Sequence, residues 1–214
     1  TMYRISVPVT NWFPNRTLDR EATLAELRRI GATRVWLCSA RGIEGETRLA
    51  EEERLLIENR AFFEQSGLEV GVWICSLGHG GALIQDDPDA LRNAGKYRRM
   101  VGMNGTTCDD TFCPSDEAFV RDYADWVGRI AATGAKLIML DDDYRLCVRP
   151  NGNGCCCEYH MKEYEKRVGR KIDRSELKAL VFGGSACRER DEWLDMGSDA
   201  PTALARTLRR RVDE

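Results

Sequence analysis

The sequence predicts an α/β fold, namely about four β/α units that form the N-terminal half of an incomplete (β/α)8 TIM barrel. The predicted strands are almost continuous apolar runs, and a helical pattern separates each strand from the next. Such runs are typical of a parallel sheet that is buried on both faces. Polar and aromatic residues gather directly after these strands, which is where barrel enzymes carry their active sites.

The elements follow one another in a regular order along the chain. Apolar runs predict four strands: Tyr3–Val9, Arg34–Cys38, Val70–Cys75 and Lys136–Leu140. Apolar residues at helical spacing predict three intervening helices: Leu18–Ile30, Thr47–Ser66 and one that Ser115 caps and Gly134 ends. Gly31 and Gly67 follow the first two helices, as is typical of a helix C-terminus.

An open, doubly wound sheet is the competing topology. Its nucleotide-binding form requires a glycine-rich loop after the first strand, and Asn11-Trp12-Phe13-Pro14 stands there instead. Only helical patterns follow the fourth strand, at Cys157–Val168, Arg174–Val181 and Thr202–Val212. Because a complete barrel has about 250 residues, we expect residues 1–214 to be a single barrel domain, truncated before its fifth strand.

Composition argues against two classes of partner. The chain has 35 acidic and 32 basic residues and a formal net charge of −3, so it has no strongly basic field for nucleic acid. No apolar stretch reaches the roughly 20 residues needed to cross a bilayer, and no signal peptide precedes the first strand. We therefore expect a reduced, cytoplasmic protein without a membrane partner; self-association is compatible with the sequence.

A cluster of metal-ligating residues follows the fourth strand. Cys155, Cys157 and His160 offer two thiolates and one imidazole at short spacing, and structural zinc takes four such ligands in tetrahedral geometry. From the sequence alone the fourth ligand is Cys113, Cys108 or Cys147. The alternative is a set of reduced thiols in a loop without metal.

Three consecutive acids, Asp141, Asp142 and Asp143, end the fourth strand. A carboxylic acid at the end of a barrel strand suits the role of a general acid that protonates a leaving group, and neighbouring acids help to keep one of the three protonated. A solvated turn and a site for a divalent cation with oxygen ligands are the alternatives.

Three segments carry a family resemblance: Phe112–Phe119, Leu140–Tyr144 and Cys155–His160. In order and rough spacing they resemble the beta-galactosidases of glycoside hydrolase family 42. The resemblance implies a barrel that hydrolyses glycosidic bonds and a structural zinc held by Cys113, Cys155, Cys157 and His160. It also places Asp143 at the position of the acid/base Glu, and Asp142 at that of an Asn.

This sequence departs from the family pattern at the acids. Asp in place of Glu shortens the proton donor by one methylene, and Arg145 stands where the family prefers Gly. The second carboxylate of the family comes from a later strand, so we expect these 214 residues alone to be inactive.

A carbohydrate is therefore the expected substrate. Besides the catalytic candidate Asp143, the candidate substrate-binding residues are Asp141, Asp142, Arg145, Asn11, Trp12, Arg41 and His79. Two other functions stay open: a metal-dependent TIM-barrel enzyme that acts on sugars through the Asp triplet, and an inactive barrel that binds carbohydrate.

Overall fold

The structure is a computed structural model that describes residues 3–11, 18–39, 45–75, 77, 95–141, 144, 146–148 and 152–214. Its strands are β1 (Ser6–Thr10), β2 (Arg34–Cys38), β3 (Glu69–Ile74), β4 (Arg99–Val101), β5 (Thr107–Phe112), β6 (Ile138–Leu140), β7 (Cys147–Val148) and β8 (Gly152–Asn153). Its helices are α1 (Arg20–Arg29), α2 (Glu46–Gln65), α3 (Glu117–Ala132), α4 (Glu158–Val168), α5 (Arg174–Phe182) and α6 (Arg188–Asp213).

The four predicted strands form one parallel sheet, so the α/β class is confirmed. The strand order is β1-β2-β3-β6, which follows the chain without a reversal. The register pairs Pro8 with Trp36 and Trp36 with Gly71, and it pairs Trp73 with Met139. Each of these strands is followed by a helical connection, as a parallel arrangement requires.

One face of the sheet packs against the helices and forms the main core. Val35, Leu37, Val72 and Ile74 lie on this face and are almost completely buried, together with apolar residues of α1, α2, α3 and α6. Alternate residues of a strand point to opposite faces. This alternation explains why Trp36, between Val35 and Leu37, and Trp73, between Val72 and Ile74, are more exposed.

The other face of the sheet is also largely apolar. It carries Pro8 on β1, Trp36 on β2 and Met139 on β6, and the last two are half-buried. The Trp36 ring lies directly over Gly71, where a Cβ atom would come within 2.2 Å of the ring. A glycine is therefore needed at this position for the indole to lie flat on the sheet.

Two short antiparallel hairpins were not predicted. β4 pairs with β5, and β7 pairs with β8. The first hairpin turns through Gly105, which has a φ of 83°, a conformation that glycine adopts without steric cost. Neither hairpin shows the alternating apolar pattern that identifies a strand in a sequence.

The helix boundaries agree with the predicted ones to within a few residues, with two exceptions. The prediction that Ser115 caps α3 is wrong: Asp116 is the N-cap, and its carboxylate accepts a hydrogen bond from the Phe119 amide at 2.9 Å. The C-terminal helix α6 begins well before the predicted Thr202 and continues through Pro201.

None of the described helices is both long enough and apolar enough to pass through a bilayer.

Candidate metal centre and carboxylate site

The two hairpins bring together four potential metal ligands. Cys113 directly follows β5, Cys155 and Cys157 lie between β8 and α4, and His160 lies in the first turn of α4. All four side chains are buried, with at most 2% of their surface exposed. Their ligand atoms all lie within 4.8 Å of one another, so the group can hold a metal ion such as zinc.

Three distances between Cys113, Cys157 and His160 match those of a tetrahedral metal site. Cys113 Sγ lies 3.8 Å from Cys157 Sγ and 3.6 Å from His160 Nδ1, and Cys157 Sγ lies 3.5 Å from the same nitrogen. Zinc with bonds of about 2.3 Å to sulfur and about 2.0–2.1 Å to nitrogen separates its tetrahedral ligands by about 3.5–3.8 Å. The donor set and its spacing therefore match the group that the sequence predicts.

The two other candidates for the fourth ligand are not part of this group. Cys108 is buried in the same apolar cluster as Cys113, Cys155 and Cys157, but it is not among the four residues whose ligand atoms converge. The side chain of Cys147 lies outside the described residues. Cys156 packs into a different core, beside Tyr164 and Trp193 on the helices α4 and α6.

The buried thiols and the imidazole of the cluster perturb one another's pKa values. Hydrogen bonds with Cys155 and Cys157 raise the pKa of Cys113, whereas hydrogen bonds from Cys113 and Cys155 lower the pKa of Cys157. Burial lowers the pKa of His160, but hydrogen bonds and charge from Cys155 and Cys157 outweigh it and raise this pKa to about 9. Closely packed thiols thus share protons unless a positive charge neutralises them.

Three residues surround the ligands. Ser115 Oγ lies 3.0 Å from His160 Nε2, whereas the sulfurs of Cys113 and Cys157 lie near Nδ1 of the same ring. The Arg98 carbonyl accepts a hydrogen bond from the Cys113 amide at 2.8 Å. The Arg98 guanidinium lies 5.4 Å from the centre of the Tyr159 ring. Burial lowers the pKa of Arg98, but the charges of Cys113 and Cys157 raise it more, which places a cation next to the cluster.

The first acid of the Asp triplet lies at the carboxyl end of β6. Asp141 is 7% exposed, and its amide donates a hydrogen bond to the Ile74 carbonyl of β3 at 3.1 Å. Its carbonyl accepts a hydrogen bond from the Tyr144 amide at 3.2 Å, and the Tyr144 hydroxyl donates to the Pro201 carbonyl of α6 at 2.8 Å. Hydrogen bonds therefore anchor Asp141 to β3 and Tyr144 to α6.

Asn11 lies at the carboxyl end of β1 in a buried polar network. It is 2% exposed, and its side-chain oxygen accepts a hydrogen bond from Asn59 Nδ2 at 2.8 Å. Arg20 Nε donates to Asn59 Oδ1 at 2.7 Å, and the Ser39 hydroxyl donates to Glu52 Oε1 at 2.9 Å nearby. The network links the ends of β1 and β2 to α2.

Several predicted site residues lie outside the described residues, and their roles stay predictions: Trp12, Arg41, His79, Asp142, Asp143 and Arg145. The substrate-binding roles predicted for Asn11 and Asp141 also stay predictions. Sequence reasoning missed Ser115, Arg98, Tyr144 and Asn59. A signal existed for Asn59, because Glu52 and Asn59 interrupt the apolar stripe formed by Leu49, Leu56 and Phe63.

Comparison with solved structures shows a known fold. The chain is similar to the catalytic domain of beta-amylase from Paenibacillus polymyxa, with a TM-score of 0.61 and 9% sequence identity. The match covers 97% of this chain and 62% of the beta-amylase chain, so this chain spans less than two thirds of that domain. At this identity the match shows the fold alone.

Comparisons at the level of sequence give no relative. No family model matches the chain, and no curated protein is similar to it.

Proposed function

We propose that this chain forms the first four β/α units of a glycoside-hydrolase-like (β/α)8 barrel, in which Asp143 protonates the leaving group of a carbohydrate substrate. The observation that carries the proposal is the position of Asp141. This buried carboxylate ends the fourth strand of a parallel sheet, and the next two residues along the chain are also acids. Barrel enzymes place their catalytic side chains at such strand ends.

The sheet supports the barrel part of the proposal. Its strands follow the chain order without a reversal, whereas a doubly wound sheet reverses its order near the first strand. Trp36, Trp73 and Met139 lie on the face away from the helices and are only half-buried. Further strands that closed the sheet on itself would bury these side chains inside the barrel, as the layered interior of the fold requires.

The likeness to the catalytic domain of a beta-amylase supports the barrel fold of the proposal. The relation to glycoside hydrolase family 42 rests on the resemblance of the three segments around Cys113, Asp143 and Cys155. Within the proposal, Asp141 and Asp142 support Asp143. A neighbouring negative charge raises the pKa of a carboxyl group and keeps it protonated for proton donation.

The remaining candidates bind the sugar in this proposal. Asn11 follows β1, Arg41 follows β2 and His79 follows β3, so all three come from the strand ends that form one rim of a barrel. Trp12 offers a ring for stacking on a sugar face. The second carboxylate comes from a strand beyond these four, at about 5–5.5 Å from the acid if the enzyme retains the anomeric configuration.

The test is the Asp143→Asn variant of the natural protein that contains the complete barrel. General acid catalysis contributes about 10²–10⁴-fold to a rate, so we expect a loss of that size on natural glycosides. Glycosides with activated leaving groups need less proton donation and should lose less. Steady-state kinetics on both kinds of substrate measure the difference, and Asp143→Glu, which restores the length found in the family, is the control. Unchanged turnover on both substrates would reject the acid role.

We further propose that Cys113, Cys155, Cys157 and His160 hold a structural zinc ion. Four protein ligands leave no open position, so the metal would link the end of β5 to the start of α4 without taking part in the reaction. Such a link stabilises the folded state because the unfolded chain offers no preformed site.

Elemental analysis of the purified protein tests the zinc proposal. We expect about one zinc per chain, as one tetrahedral site requires, and its loss in both Cys155→Ser and His160→Ala. Cys187→Ser is the matched control, since this half-buried thiol begins α6 and is not part of the cluster. A metal-free wild type whose melting temperature does not respond to a chelator would contradict the proposal.

A further inference from the structure

The two nitrogens of the His160 ring have different partners, and Ser115 is the partner of one of them. His160 Nδ1 lies 3.6 Å from Cys113 Sγ and 3.5 Å from Cys157 Sγ, whereas Nε2 lies 3.0 Å from Ser115 Oγ. Nδ1 therefore faces the sulfurs of Cys113 and Cys157. A metal held by the cluster would bind the ring through this nitrogen.

The chemistry of imidazole fixes the direction of the Ser115 contact. A neutral imidazole has one N–H, and the nitrogen that binds a metal must be the one without a proton. Nε2 then carries the hydrogen and donates it to the Ser115 hydroxyl oxygen. In metal sites such a partner fixes both the tautomer and the ring orientation of the ligand.

Packing alone does not distinguish the two ring nitrogens. The last torsion of a histidine side chain has broad minima, so a half-turn of the ring costs little where neighbours allow it. The Tyr159 ring contacts the imidazole edge-on, with 5.4 Å between the ring centres. This contact restricts the ring, but an aromatic edge makes no hydrogen bond that would choose between Nδ1 and Nε2.

The turn that carries Ser115 is well anchored. The Asp116 amide donates to the Cys113 carbonyl at 3.0 Å, and the Asp116 carboxylate caps α3. Pro114 restricts the backbone between them, because its ring fixes φ. One four-residue turn thus provides a ligand, Cys113, and a hydroxyl aimed at the ring of a second ligand, His160.

We infer that Ser115 is a positioning residue of the zinc centre, whose hydroxyl accepts the His160 Nε2 hydrogen and so holds the imidazole as an Nδ1 ligand. The inference rests on the proposed zinc site and adds a residue outside its ligand set. Outer partners of this kind contribute about 10–100-fold to metal affinity.

The experiment compares the zinc affinity of wild type, Ser115→Ala and Ser115→Thr by competition with a chelator of known affinity. We expect Ser115→Ala to bind zinc about 10–100-fold more weakly. Ser115→Thr keeps the hydroxyl and should recover most of the affinity. Nitrogen-15 spectra of the zinc-loaded protein should show His160 protonated only at Nε2 in wild type, and a mixture of ring states in Ser115→Ala.

Asp116→Ala is the control for a general weakening of the turn. It removes the cap of α3 without touching His160, so it should lower the melting temperature and leave zinc affinity unchanged. Equal losses of zinc affinity in Asp116→Ala and Ser115→Ala would overturn the positioning role. So would a Ser115→Ala variant that binds zinc as tightly as wild type and keeps a single ring tautomer. A wild type that binds no zinc would instead reject the metal site itself.

Discussion

At the scale of single residues, the position of the Trp36 ring depends on the absence of a side chain at Gly71. Gly71 lies in the middle of β3, opposite Trp36 of β2 in the parallel register. The indole occupies the space above Gly71, and a Cβ atom there would lie 2.2 Å from one ring carbon and 2.5 Å from the next. Arg34 lies over the outer part of the same ring, 5.4 Å from its centre, and limits where the ring can move.

We therefore expect Gly71→Ala to destabilise the protein by about 1–3 kcal/mol, the usual range for an overpacked site. In a strand without this contact, the same substitution would be stabilising, because glycine loses more backbone freedom on folding. Chemical denaturation measures the change. In a Trp36→Val background, which removes the ring, Gly71→Ala should be neutral or slightly stabilising. Equal destabilisation in both backgrounds would show that the ring is not the cause.

The residues of the metal centre divide into those that the sequence predicts and those that it does not. Cys155, Cys157 and His160 are unusual enough in type and spacing to be recognised, and the family resemblance implies Cys113 as the fourth ligand. The structure brings all four together. Ser115 carries no such signal, since a serine before a helix is far more often a cap. Its contact with His160 depends on how two segments that are 45 residues apart pack together.

At the scale of elements, the long helix α6 completes the helical layer over the sheet. Leu204 and Leu208 belong to the main core, and α6 packs against α3, α4 and α5. The sequence predicts only the second half of this helix, because Pro201 normally ends a helical pattern. Pro201 lies inside the helix instead, and its carbonyl accepts the hydrogen bond of Tyr144.

This packing predicts that Leu204→Ala destabilises the protein by about 2–5 kcal/mol, because the side chain is 1% exposed and its removal leaves a cavity. Leu194→Ala, in the same helix at a position that is 50% exposed, should change stability by less than about 0.5 kcal/mol. Thermal or chemical denaturation compares the two. If Leu204→Ala proved as mild as Leu194→Ala, then α6 would not be part of the core.

The two hairpins show why some elements cannot be predicted from the sequence. β4 and β5 have few apolar side chains in alternation, and β7 and β8 have only two residues each. Their pairing depends on backbone hydrogen bonds and on a small buried cluster that contains Met100 and Cys108, while Phe112 at the end of β5 packs in the main core. They nevertheless determine where Cys113 and Cys155 lie.

At the scale of the whole molecule, the sheet has one face covered by helices and a second apolar face. A lone parallel sheet would leave this second face in water, which is uncommon because parallel sheets are normally covered on both sides. Among the described residues this second face is apolar and only half-buried, which agrees with the proposal that further strands complete a barrel.

The sequence by itself determined the strands and helices of the parallel α/β sheet and the residue types of the metal cluster, whereas the order of the strands came from the structure. It could do so because apolar periodicity and close Cys/His spacing are local properties of the chain. Only the tertiary structure decided which cysteine completes the cluster, that Ser115 contacts His160 rather than capping α3, and that Asn11 is bound to Asn59. These outcomes depend on contacts between segments far apart in sequence, and a local sequence pattern does not show which distant segments come into contact.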